Sequence, residues 1–263
     1  IHALMINRMV IKHRLASIIT LFPGLIYVIA VSFLPSFTFL SPALIANTFV
    51  LMALSQLFTI YKKPHVAGRI FNVGLLLGIS ILILPSYIYL IIITLIGQYI
   101  LRSIKGNEIF QHIIGVLVTF FLFYSVLYLL DFNIKNEYEK YIPTVNFKII
   151  DLKGFGLYTL IATIFSAFFV LFNYSKYTIR KSIQAHKKID ILYVLMLVSV
   201  LLILLDKNFS SSQALLYVIP LSVFIGINFI NIKNHMIQEL LHLAALGLLF
   251  ALQFGWLQSG IHF

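Results

Sequence analysis

The feature that most constrains this chain is a recurrence of uncharged, continuously apolar runs about twenty residues long, Leu15–Leu34 and Ile109–Leu130 among them. Water cannot wet such a run, and lipid offers its backbone no hydrogen-bond partner. Every N–H and C=O must therefore be paired within a helix or a closed barrel. A barrel strand alternates apolar and polar residues, and these runs do not alternate. The composition agrees: 61% of the 263 residues are hydrophobic and 10% are charged, whereas a soluble domain carries about 25% charged residues. Mean hydropathy is +1.02. The expectation is an all-α polytopic transmembrane bundle of about nine spans, forming a single integral membrane domain.

Spans are predicted near 15–34, 41–61, 109–130, 154–172, 191–205, 214–230 and 236–256, with the stretch 70–101 in addition. Pro85-Ser86 divides that stretch, which reads either as one kinked helix or as two short helices joined by a turn. Charge arbitrates. With the hairpin, Arg8, Lys12 and Arg14 fall on one side with Lys62, Lys63, Arg69, Arg102, Lys105 and Lys233. The cluster Lys176, Arg180, Lys181, Lys187 and Lys188 joins them. Only Lys135, Lys140, Lys148, Lys153 and Lys207 fall on the other side. Cytoplasmic loops carry such an excess, so the hairpin is preferred and the first basic segment is placed in the cytoplasm of a bacterial inner membrane. With its basic residues confined to short loops, the net charge of +11 points to an anionic leaflet and not to nucleic acid.

Two polar segments stand out. Residues 131–153 balance Asp131, Glu137, Glu139 and Asp151 against four lysines, giving a neutral external segment that could cap the bundle or dock a partner. Residues 174–190 place Ile179, Ile183 and Ile189 near one helical face with Arg180, Lys181, Lys187 and Lys188 around the rest. This predicts a basic amphipathic connector at an anionic surface.

Candidate site residues are few. Glu239 is the one carboxylate placed inside a span, and His235, Glu239 and His242 share a face at i, i+4 and i+7. Glu-x-x-His is the ligand pair of di-metal bundles, but those need a second such motif and further acids, which no other span supplies. No metal site is therefore assigned. The same residues could couple protons or anchor a substrate, or simply snorkel from a span end. Asn47, Ser55, Gln56, Gln98 and Gln253 are expected to hydrogen-bond neighbouring helices, and Gly74-x-x-x-Gly78 to admit a close helix crossing. Tyr61, Tyr87, Tyr89, Tyr99 and Trp256 read as an interfacial belt. No catalytic motif, cofactor-binding motif or cysteine is present.

Lys12-His13-Arg14-Leu15, Leu34-Pro35, Leu40-Ser41-Pro42-Ala43-Leu44-Ile45-Ala46-Asn47, Ala53-Leu54, Pro85 and Ile219-Pro220-Leu221-Ser222 together resemble a family of multispanning membrane proteins of Bacteroidota, known as a domain of unknown function. That resemblance implies one or two further spans upstream. The hairpin-rich pattern is also similar to the membrane regions of GT-C type glycosyltransferases and polysaccharide polymerases. Those carry an acid in the first external loop, and 33–42 has none. The leading expectation is a non-catalytic membrane subunit or accessory factor of an inner-membrane envelope complex, with the bilayer and other membrane subunits as partners. A lipid-linked sugar transferase using Asp131, Glu137, Glu139 or Asp151 is a second reading. A proton-coupled transporter using Glu239 and His242 is a third.

Overall fold

Prolines and helix caps divide the chain into its elements. The computed structural model describes residues 1–32, 40–103, 105–131, 155–178, 181–205, 214–232 and 235–253, and among these there are helices and no strand. In order they are α1 (His2–Lys12), α2 (Phe22–Ser32), α3 (Pro42–Leu57), α4 (Ala67–Ile83), a 3-10 turn (Pro85–Tyr89), α5 (Leu90–Leu101) and α6 (Gly106–Leu129). Then follow α7 (Phe155–Phe172), the single-turn α8 (Tyr174–Thr178), α9 (Ile183–Leu205), α10 (Leu215–Ile230) and α11 (His235–Gln253).

The start of the chain departs from expectation. Residues 15–21 are not helical, so the predicted span 15–34 is reduced, over its described part, to α2. The residues expected to lead into it form a helix of their own. His2 hydrogen-bonds Tyr27 Oη through Nδ1 (2.7 Å) and Thr48 Oγ1 through Nε2 (2.8 Å). Gly24 N–H donates to Asn7 Oδ1 at 2.7 Å. These contacts lay α2 antiparallel to α1 and bring α1 beside α3. Polar side chains that sequence alone assigns to a lead-in thus tie a helical hairpin together. α3 begins on Ser41, whose side chain accepts from Leu44 N–H, with Pro42 at the first helical position.

The stretch 70–101 breaks where the proline demands it. Leu84 is extended (φ −137°, ψ 97°) ahead of Pro85, as the clash with a proline ring requires. The chain then returns: Arg102 Nη1 donates to the Lys63 carbonyl at 2.8 Å. The hairpin is therefore formed, and its two basic ends meet.

α4 crosses α6 at the glycines. A Cβ at Gly74 would overlap the His112 carbonyl, one at Gly115 would overlap the Phe71 carbonyl, and one at Gly78 would sit 2.7 Å from Thr119 Cβ. Thr119 Oγ1 donates across to the Leu75 carbonyl at 3.1 Å. The small-residue spacing at Gly74 and Gly78 thus faces a neighbouring helix, while Gly68 faces open space. Tyr177, Tyr193 and Phe224 pack between α8, α9 and α10, with Tyr193 and Phe224 centroids 4.4 Å apart.

Nine full-length spans are not what the described residues contain. The helix among them both long and apolar enough to cross a membrane is α6, and only 22% of its apolar stretch is buried. It presents Phe110, Leu117, Phe121, Leu122, Val126 and Leu129 outward. The core helix of a water-soluble protein would bury such residues. Other apolar helices are shorter: α3 and α10 have 16 residues and α4 has 17. At about 1.5 Å per residue they reach roughly 24–26 Å, short of a hydrocarbon core of about 30 Å.

Candidate functional site at the basic end

Basic segments that sequence analysis scatters over separate loops converge at one end of the helices. Besides the Arg102–Lys63 contact, Lys181 Nζ donates to the Leu15 carbonyl, and Lys188 Nζ lies 3.1 Å from His13 Nδ1. Lys62 and Lys187 each place Nζ 5.7 Å from the Tyr61 ring centroid, so two cations share one aromatic ring. Arg69 donates to the Thr59 carbonyl at 3.0 Å, and Arg102 pairs with Glu108 at 3.2 Å. Asn228, at the end of α10, donates to Tyr177 Oη. His13 and Leu15, the loop 59–69, Arg102 with Glu108, and Lys181, Lys187 and Lys188 are therefore neighbours.

At the centre of this end is a buried pair, Lys188 at 1% and His13 at 7% exposure. His13 sits in the turn after α1, edge-on to Phe58 at 5.3 Å, and Lys188 sits in the charged first turns of α9. Burial, then the charges of Lys188 and Lys12, lower the His13 pKa to about 3, with the Ser55 backbone opposing them. Burial, then Lys12, lowers Lys188 to about 8. At neutral pH the imidazole is thus uncharged and Lys188 is an ammonium. An ammonium donor makes Nδ1 the acceptor and leaves the ring proton on Nε2, which is buried without a hydrogen-bond partner. Burial alone lowers Lys181 to about 8. Among the described residues no carboxylate joins this group. Glu108 is held by Arg102, and Asp190 by Tyr174 (2.8 Å) and His186 (3.8 Å).

Beside it, the turn carries a cleft of roughly 200 Å³ whose lining includes Ile11, Arg14, Ser17, Ile18 and Ile19. Arg14 has a left-handed backbone, φ 53°, uncommon for a residue with a Cβ. Ile18, Ile19 and Leu21 are exposed next to it.

The residues singled out from sequence lie elsewhere. Glu239 is exposed and His242 half-buried on α11; His235 begins that helix. No group of three metal-ligating side chains forms among the described residues. Asp131 is exposed just past α6, at the opposite end from Arg102, with φ 56°. Glu137, Glu139 and Asp151 lie outside the described residues. The connector is not one continuous helix: residues 181–182, just ahead of α9, are not helical, and Ile179 and Arg180 lie outside the described residues. Of its expected apolar face Ile189 is buried and Ile183 is exposed, while Lys188, expected to be solvated, is buried.

Asn47 and Gln98 hydrogen-bond neighbouring helices as expected, but sequence reasoning did not foresee their partners. For Asn47 the partner is Tyr87 (2.9 Å), which is buried and not part of an interfacial belt. Gln98 Nε2 contacts His112 Nδ1, and Thr94 Oγ1 contacts His112 Nε2, both at 3.2 Å. A histidine inside an apolar run was the available signal for His112. Nothing local signals His13, whose partner is 175 residues away.

Described residues that are helical without a strand, with outward apolar faces and a basic end, define the class. Within it, the chain belongs to a family of unknown function (DUF6427), matched over residues 3–253. No curated protein and no solved structure matches it.

Proposed function

We propose that this chain is a multi-pass integral membrane protein, its basic end on the cytoplasmic side of a bacterial inner membrane, that serves as a non-catalytic subunit or accessory factor of an envelope assembly. Two features support the membrane part of this reading. Basic segments distant in sequence meet at one end, as topogenic loops do, and α6 turns large apolar side chains outward.

The subunit reading is carried by α11. This helix packs mainly on α2. Its exposed residues include Met236, Leu240, Leu241 and Leu243, and Glu239 is exposed with them. A carboxylate turned toward lipid is costly, whereas one turned toward a partner helix can be satisfied there. Transport through an internal cavity would need Glu239 inside the bundle, which its outward placement disfavours.

The chain has no cysteine, so single cysteines are clean probes. Cysteines at Lys62 and Asp131 are expected to label from opposite sides of sealed vesicles. A photo-crosslinker at Leu243 is expected to capture a different membrane protein in native membranes. Adducts to lipid alone, with a monomer recovered in mild detergent, would defeat the subunit reading.

A further inference from the structure

The strongest unassigned feature is the cleft at Arg14. We propose that it binds the headgroup of an anionic phospholipid. The phosphate would be held by the Arg14 guanidinium and the Ser17 hydroxyl in the field of Lys12 and Lys181, with the first part of a chain against Ile11, Ile18 and Ile19. This rests on the membrane reading above.

Four observations lead to it. The cleft joins one cationic and one hydroxyl side chain to an apolar wall, the two chemistries of a lipid at the interface. Cations around it lack an internal counter-ion among the described residues: Glu108 and Asp190 are engaged elsewhere, Asp131 lies at the far end, and Glu239 is on α11. Next to it, the Lys188 ammonium is buried on His13 with no carboxylate beside it among the described residues, and His13 Nε2 has no hydrogen-bond partner. Positive charge so placed is costly until an anion lies nearby. Finally, the exposed Ile18, Ile19 and Leu21 set apolar surface against basic residues, the arrangement that seats at a headgroup boundary.

The test is native mass spectrometry of the detergent-purified full chain, offered phosphatidylglycerol or phosphatidylcholine with the same acyl chains. Phosphatidylglycerol is expected to be retained about fivefold more. Arg14→Gly, which suits the left-handed backbone, and Lys181→Ala should each reduce that retention about fivefold. Lys105→Ala, at the same end but away from the cleft, should not. Equal retention of the two lipids by the unaltered chain overturns the proposal, whatever the variants do. So does phosphatidylglycerol retention that Arg14→Gly and Lys181→Ala together leave unchanged. Displacement of the lipid by millimolar inorganic phosphate, with phosphate alone raising the melting temperature, would make this a free-phosphate site and also overturn it. Release of the chain from membranes by alkaline carbonate would sink the membrane reading itself. An integral chain indifferent to headgroup charge would sink only the lipid site.

Discussion

Two buried histidines in this molecule are satisfied in opposite ways. His112, on α6, sits between Thr94 and Gln98 of α5, with both ring nitrogens in contact with neutral groups. His13 has one nitrogen on a lysine and the other unpartnered. The first is a neutral network that ties α5 to α6 close to the glycine crossing, since the Gly74 backbone lies against the His112 carbonyl. The second joins the α1–α2 turn to α9 through a charge that no carboxylate among the described residues balances. A neutral network of this kind contributes to holding helices together. A buried cation without a counter-ion costs stability in isolation, which is the mark of a place kept for something other than packing.

The contrast can be broken from the His112 side first. His112→Leu leaves Gln98 with both ends of its amide unpaired, because Gln98 Oε1 already lacks a partner. It should cost about 3 kcal/mol, read as a lower unfolding midpoint in detergent. A loss under about 0.5 kcal/mol would mean that the network is not a tie between helices.

Acid should act on the other histidine. His13 is neutral when folded down to about pH 3, whereas an unfolded histidine charges near pH 6.5. Between those values the unfolded chain binds the extra proton, so stability falls as pH falls. Going from pH 7 to pH 5 should remove about 2 kcal/mol through this residue, and His13→Gln should flatten the profile by that amount. An identical slope in the variant would show that Lys188, Lys12 and burial do not hold the ring neutral.

The smallest effect is expected at Arg14. Glycine adopts φ 53° without the penalty a Cβ incurs, so Arg14→Gly should stabilise the lipid-free chain by about 1 kcal/mol. A destabilisation of the same size would indicate that the guanidinium already has a structural partner there.

How much of this was legible follows the range of the physics involved. Pro85 acts on Leu84 through a local clash, so the break was readable, and the basic ends then told which way the chain returned. Gly74 and Gly78 were readable as a close-approach face because the spacing is helical, although the helix they meet was not. Tyr87 looked like a belt residue because it follows a proline near a span end. Burial against Asn47, 40 residues away, is a tertiary fact. Glu239 drew notice as an acid in an apolar run, but the direction it points depends on how α11 lies against α2.

Sequence by itself determined that the chain is helical, that its apolar runs need a partner other than water, and that its basic residues belong together. Each of these follows from solvation and backbone hydrogen bonding, which act over a turn or two. Only the tertiary structure decided that α1 is a helix beside α3, that Lys188 is buried on His13, and that Glu239 faces outward. Those outcomes depend on which helix faces fill one another's surfaces, and close packing is settled between residues that the chain itself keeps far apart.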